Sequence, residues 1–203
     1  MNGRYRPLVA ASFFDRPAET VARELLGSFL VSDCGGKRCV GRIVETEAYP
    51  GPHDPASHAA APIGRTARND PMFGPPGTAY FHLNFGVHWC LNVVVGPEGY
   101  PAAVLIRAVE PLEGLETMRR RRPGRTDREL TSGPAKLTQA LAIGPSLQRH
   151  RLSDAPLFIT PGTKVPKSSV ARTTRVGITK GTTKRWRFYD RRSGWVSRSE
   201  RPR

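Results

Sequence analysis

The chain has no apolar run approaching the ~20 residues that a membrane-spanning helix requires, so no such helix is expected. Its three cysteines, Cys34, Cys39 and Cys90, form no CxxC pair and leave one without a mate. That argues against a disulfide scaffold and fits a reducing compartment. The five histidines (His53, His58, His82, His88, His150) include no HExxH. His82, His88 and Cys90 lack the second ligand pair that a zinc site needs, so neither a metal nor another cofactor is expected. The N-terminal segment MNGRYRPLVAASFFDRPAE starts basic, but its apolar stretch is short and Asp15 breaks it, so no signal peptide is expected. A cytoplasmic, bacterial-type, nucleoid-associated protein is the reading that follows. There is no internal repeat and no linker-like shift in composition. With 38% hydrophobic residues in 203, the chain can bury a core and is not mostly disordered.

Acidic side chains are scarce in the second half. Residues 1–100 carry 9 basic and 9 acidic groups, whereas residues 101–203 carry 23 and 8. The whole net charge of +15 therefore lies in the second half. A positive field so concentrated attracts polyanions through counterion release. No basic amphipathic helix of membrane type stands out, so nucleic acid is the favoured partner.

The pattern along the chain predicts one mixed α+β domain. DRPAETVARELLG reads as a helix, with Asp15 as its cap, Pro17 in its first turn and Gly27 at its end. SFLVSD and CVGRIVETEAY read as strands joined at Gly35–Gly36. Residues 50–77 are rich in Pro, Gly, Ala and His without periodicity, and a loop of that length is usually functional or mobile. TAYFHLNFG and HWCLNVVV form a hairpin around Gly86, and AVLIRAVE is a further strand. PLEGLETMRRRR reads as a helix ending in Arg119–Arg122. SGPAKLTQALAI reads as another, capped by Ser132 with Pro134 in its first turn. RVGITK, WRFY and GWVS read as short strands among basic loops.

VETEAYPG carries the chemistry. Period-two alternation puts Ile43, Glu45, Glu47 and Tyr49 on one face and Arg42, Val44, Thr46 and Ala48 on the other. The two glutamate Cα atoms would lie ~6.6 Å apart, compatible with the paired carboxylates of glycoside hydrolysis. It is equally compatible with one catalytic carboxylate beside a structural one. An isolated Glu-x-Glu is most often a solvated strand face, and the flanking Ile43 and Tyr49 weigh against that here. Spacing alone leaves the two glutamates equivalent. Tyr80, Phe81, His82 and Phe85 read as strand core or as a hairpin wedge for a duplex. Cys90, in WCLNVVV, reads as core. SGPAK puts backbone N–H groups beside Lys136, an anion site or an ordinary cap.

Several segments, in this order, resemble the alkyladenine (3-methyladenine) DNA glycosylase family. They are GRIVETEAYPGPHDPASHA, RNDPMFGPPGTAYFHLNFG, CLNVVV, LIRAVEPLEGLETM, SGPAKLTQALAI, RVGITK and RFYDRRSGWVS, and they span about residues 20 to 197. The resemblance implies a monomeric, metal-free, single-domain enzyme over residues 1–203, with 1–10 and 197–203 as disordered ends. It implies a curved antiparallel sheet, flanking helices and a protruding DNA-intercalating hairpin. The implied activity is monofunctional: an alkylated or deaminated purine is flipped out of double-stranded DNA and its N-glycosidic bond hydrolysed, leaving an abasic site. By motif position, Glu47 is the general base for the attacking water, positioned with help from Arg107 and the main-chain carbonyl of Val176. Glu47 must act as a carboxylate, and a nearby Arg107 favours that form. Tyr49 and His58 contact the flipped base, and Asn92 crowds the amino group of normal guanine. Phe85, Met72, Lys136 and Arg122 are the expected DNA contacts. Where the best-known mammalian pattern has two tyrosines, this sequence has His82 at the stacking position and Phe85 at the intercalating one. The smaller, titratable His82 ring should stack less strongly, which bears most on neutral lesions such as hypoxanthine and ethenoadenine. Three rivals remain: a non-catalytic nucleic-acid binder, an O-glycoside hydrolase using both glutamates, and a metal-dependent nuclease.

Overall fold

Two long apolar strands, β2 (Cys39–Tyr49) and β5 (Ala102–Glu113), pair antiparallel and form the spine of the fold. The computed structural model describes residues 11–197; the expected disorder of 1–10 and 198–203 lies outside the described residues, whereas Ser197, the first residue of the expected disordered end, is buried and bonded to Glu45. The hairpin of β3 (Ala79–Asn84) and β4 (His88–Val95) extends the sheet on the β5 side. On the other side, β1 (Phe29–Ser32) pairs with Cys39–Arg42 of β2 and carries β6 (Leu157–Thr160). Further along that same edge, β8 (Arg187–Asp190) pairs with Glu45–Glu47 and carries β7 (Val170–Thr173). The sheet therefore forks at the middle of β2, and all its pairs are antiparallel. This is the expected α+β architecture, a curled antiparallel sheet flanked by helices.

Period-two alternation divides the sheet cleanly. Phe81, Leu91, Val93, Val104 and Ile106 face the main core, together with Val21 and Ala22 of α1 (Ala18–Glu24) and Leu25, its C-cap. The alternate residues, Tyr80, His82, Asn92, Leu105 and Arg107, face a cavity. Fully burying one large apolar side chain stabilises by about 1.5–3 kcal/mol, so each strand is pinned in register by its core face.

The fork breaks the alternation on β2. Its ladder with β5 skips Val44 on one strand and Arg107 on the other. Such irregularities re-aim side chains. Ile43 consequently joins Ala48 in the main core instead of sharing the face of Glu45. Thr46 also turns to the core side, where its hydroxyl donates to the Ala22 carbonyl at 2.7 Å. The expected grouping of Ile43 with Glu45, Glu47 and Tyr49 fails for Ile43 alone.

The helices are shorter than the sequence suggests. Pro17, not Asp15, is the N-cap of α1, and no side chain caps it. Gly27 does end that segment: its φ is +89°, and a Cβ there would strike the Thr163 carbonyl oxygen. The second helix, α2 (Leu115–Arg121), starts later than PLEGLETMRRRR suggests, because Pro111–Glu113 continue β5 and Gly114 is the N-cap. A third, α3 (Asp127–Thr131), was missed, although Thr126 and Glu129 form the capping box that the motif T-x-x-E signals. Gly133, not Ser132, precedes α4 (Pro134–Ala140). RVGITK and GWVS are not strands. Their backbone groups pair with side chains instead: the Val176 N–H with Glu47, and the Ser197 N–H with Glu45. Strands β6 and β7 were not anticipated. Among the described residues no helix is long and apolar enough to cross a membrane.

Candidate active site

Beyond the fork, β2 turns Glu45, Glu47 and Tyr49 to the cavity side, and their surroundings differ. Glu45 has no exposed surface and accepts from four groups. Arg107 Nε lies 2.8 Å and Arg187 Nε 2.7 Å from its Oε1, which also takes the Ser197 hydroxyl at 2.8 Å. The Ser197 N–H reaches Oε2 at 2.6 Å. Three donors, two of them guanidiniums, crowd Oε1 and one holds Oε2, which ties this carboxylate into the structure.

Glu47 is equally buried but more lightly held. Its Oε1 accepts the Val176 N–H at 2.8 Å and lies 3.3 Å from Arg107 Nη1. Its Oε2 accepts the Tyr49 hydroxyl at 2.9 Å. Two carboxylates and two guanidiniums thus share one buried cluster without net charge, which offsets the cost of burying each. Burial works against the Arg107 cation, but Glu47 and Glu45 outweigh it and hold its pKa above the ordinary arginine value. Burial, with Glu47 adding, pushes the Tyr49 phenol well up, so Tyr49 remains an O–H donor.

Tyr49, Arg107 and Val176 all line the cavity, which has a volume of about 350 Å³. Glu47 sits directly behind them. This volume falls at the low end of the ~300–1,000 Å³ typical of small-ligand pockets. One wall is the sheet. The others are two loops, residues 55–58 and residues 176–180. The first belongs to the expected loop of residues 50–77, which is ordered: the Asn69 side-chain amide donates to the His58 and Gly64 carbonyls.

His58, His82, Tyr80 and Cys90, on the sheet and loop walls, are neutral. His82 and His58 meet edge to face, with ring centroids 4.3 Å apart. His58 Nδ1 lies 3.1 Å from the Tyr80 hydroxyl. Burial, then His58 and Arg68, lower the His82 pKa to about 3. Burial, then Arg68, lowers His58. Burial raises Tyr80 to about 12 and Cys90 to about 11. The Asn92 side-chain nitrogen donates to the Tyr80 carbonyl at 3.2 Å and lies 3.1 Å from His82 Nδ1. Because an amide NH₂ only donates, that His82 nitrogen is the acceptor and the proton resides on Nε2.

A pH dependence of stability follows. His82 titrates near 6.5 when unfolded and near 3 when folded, so between these values the unfolded chain binds more protons. Stability is unaffected by this group above about pH 6.5 and declines as pH falls through the window, by up to about 1.4 kcal/mol per pH unit. Melting curves from pH 7 to pH 4.5 will show a shallower decline for His82→Gln than for the parent. Parallel declines would contradict the assignment.

Of the residues expected at the site, the structure brings together Glu47, Arg107, Val176, Tyr49, His58, His82 and Asn92. Val176 presents its N–H to Glu47. Phe85 stands at the tip of the β3–β4 hairpin, 84% exposed. Met72, expected on the DNA, is instead buried with Ala59, Tyr80, Val94 and Ala103 and forms part of the cavity wall. Lys136 is half-buried on α4, two residues from Pro134 at the cavity edge. Arg122, also expected on the DNA, donates to the Glu129 and Leu130 carbonyls. Its charge neutralises the C-terminal end of α3, where carbonyls lack helical partners. Arg121 does likewise for the Ala140 and Cys34 carbonyls. Sequence reasoning missed Arg187, Ser197, Asp54 and Arg175, all buried polar residues within this network, and Lys180, which lines the cavity. Charged types in buried motif segments were the available signal.

A family model described as methylpurine-DNA glycosylase matches residues 12–194. A protein of Salinibacter ruber is 47% identical over 92% of this chain and 95% of its own length. One of Carboxydothermus hydrogenoformans is 45% identical over 94% and 99%, and one of Rhizobium meliloti 50% identical over 92% and 94%. All three are named as 3-methyladenine DNA glycosylases.

Proposed function

Because the chain belongs to the methylpurine-DNA glycosylase family, we propose that it flips an alkylated or deaminated purine into the cavity and hydrolyses its N-glycosidic bond with water activated by Glu47. The observation that carries this reading is the contrast between the two glutamates. Glu45 is held by four donors, whereas Glu47 is held more lightly and lies one hydrogen bond behind a cavity wall made by its own partners. Glu47 itself has no exposed surface, and Tyr49, Arg107 and Val176 stand between it and the cavity. In a site shielded from bulk water, a general base acts with little competing solvation. The neutral side chains on the walls receive a purine through stacking and shape. An uncharged His82 stacks as a plain aromatic ring, so a charge on that ring does not discriminate between neutral and cationic lesions. Asn92, held by the Tyr80 carbonyl, presents a fixed bulk that disfavours the extra amino group of guanine. The product is an abasic site, formed by one monomer acting on double-stranded DNA.

Phe85 is the wedge that occupies the space left in the stack. Its exposure and its hairpin-tip position support this, since a large apolar ring gains nothing from water. Phe85→Ala will leave the melting temperature unchanged and lower excision from duplex DNA by about 5- to 150-fold, the equivalent of ~1–3 kcal/mol of base–aromatic stacking. Unchanged excision would remove Phe85 from the mechanism. The direct test of function is release of free base from duplexes containing 3-methyladenine, 7-methylguanine, hypoxanthine or ethenoadenine. Release from none of them would refute the reading. A two-carboxylate O-glycoside hydrolase is disfavoured because Glu45 is tied by four buried donors.

A further inference from the structure

Arg175 touches no cavity surface, yet it contacts the segments that form three of the cavity's walls. Its side chain and that of Asp54 both have 0% exposure. The guanidinium forks onto the Asp54 carboxylate through Nη1 and Nη2. Nη1 also donates to the Ala48 carbonyl at 3.0 Å, between Glu47 and Tyr49 on β2. The guanidinium carbon lies over the Tyr49 ring, 4.6 Å from its centroid, and over the Trp186 ring at 5.0 Å. The next residue in the chain, Val176, donates its N–H to Glu47. Asp54 in turn accepts the Ala56 N–H at 3.1 Å and so orders the loop that carries His58 to the cavity. Gly181 closes against the pair: at φ +60°, a Cβ there would lie 3.3 Å from Arg175 Nη2 and from Asp54 Oδ1.

We infer that Arg175, held by Asp54, is a positioning residue for base excision, fixing the Val176 N–H against Glu47 and the Tyr49 ring against the bound base. The inference rests on Glu47 acting as the base. The physics favours geometry over stability as the role. A buried ion pair contributes little net stability, because desolvation offsets attraction, whereas a planar bidentate fork fixes orientation closely. Lysine keeps the charge but loses the fork and the ring stacking. The cavity-lining atoms of Tyr49, His58 and Val176 would then shift relative to one another without any of them being removed.

The experiment compares Arg175→Lys and Gly181→Ala with the parent on a methylated duplex, below the melting temperature of each variant. Arg175→Lys will bind the damaged duplex within about threefold of the parent, since it loses no contact to the ground-state substrate. Its single-turnover excision rate will fall by about 100-fold, as a displacement near 1 Å at a reacting group produces. The acid side of its rate profile will move to higher pH, because a carboxylate whose Val176 N–H donor is displaced takes up a proton more readily, even though lysine keeps the positive charge. Arg107, Tyr49 and Cys90, the other titratable groups that interact with Glu47, are unchanged in this variant. Gly181→Ala, which presses on the pair without removing either charge, will shift the rate in the same direction by less. It carries the test if Arg175→Lys fails to fold. A folded variant with parental rate and pH profile, changed only in melting temperature, would show a purely structural role and overturn the inference. Glu47→Gln measured in parallel separates the two claims. An active Glu47→Gln refutes the reading beneath the inference, whereas an inactive one beside a parental Arg175→Lys refutes the inference alone.

Discussion

Glu47→Gln will lower base release by about 10²–10⁴-fold, the range a general base supplies, while leaving the fold and damaged-DNA binding intact. Glutamine keeps the volume of glutamate and one acceptor oxygen. That oxygen can still take the Val176 N–H, which lies 2.8 Å from Oε1. The amide NH₂ then meets the Tyr49 hydroxyl, now 2.9 Å from Oε2, and a hydroxyl can turn to accept. Arg107 loses one carboxylate but retains Glu45 at 2.8 Å. The cluster does lose one of its two carboxylates, so the melting temperature falls, but by less than for a substitution that strips Arg107 and Arg187 of their shared Glu45. What disappears is the more lightly held carboxylate of the cluster, because Glu45 is tied by two guanidiniums and by Ser197, and Tyr49 and Arg107 stay protonated. Single-turnover release of a methylated purine, with duplex affinity measured alongside, checks both halves of the expectation. Parental release would end the assignment of Glu47 as the base.

The fold was legible in the sequence where apolar alternation is strong and local. β2, β5 and the β3–β4 hairpin appear as the pattern predicts, and Phe85 stands at the tip beside Gly86. Alternation has no term for a bulge, so the exchange of Ile43 to the opposite face could not be read from it. Glu45 and Glu47 stayed equivalent on spacing because what separates them is remote. Arg187 and Ser197 follow Glu45 by 142 and 152 residues. The motif order of the resemblance singled out Glu47, and the later geometry supplies the physical reason. Charge counting found the basic second half but overcounted its free cations. Arg121 and Arg122 are occupied by backbone carbonyls, and Arg119 pairs with Asp127 at 2.7 Å. The short helix α3 carried a readable capping box, but with five residues it left too little periodicity to register. RVGITK has the composition of a strand, yet the buried guanidinium of Arg175 and the carboxylate of Glu47 take the partners that a ladder would need.

Glu45→Ala is expected to damage stability rather than chemistry. The substitution leaves Arg107 and Arg187, with side chains only 8% and 6% exposed, without their shared carboxylate. It also strips the Ser197 N–H of its acceptor. Removing one member of a buried charge cluster typically costs about 3–5 kcal/mol, since the remaining charges stay desolvated. For a domain of this size, that lowers the melting temperature by roughly 6–20 °C. Arg107 still has Glu47 within 3.3 Å, and the Val176 and Tyr49 bonds to Glu47 do not involve Glu45. The folded fraction at low temperature therefore keeps measurable excision. A paired-carboxylate hydrolase predicts the opposite: a standing fold with release lost at every temperature. Thermal melting together with base release well below the melting point separates the two, because only a structural Glu45 couples a large fall in melting temperature to surviving chemistry.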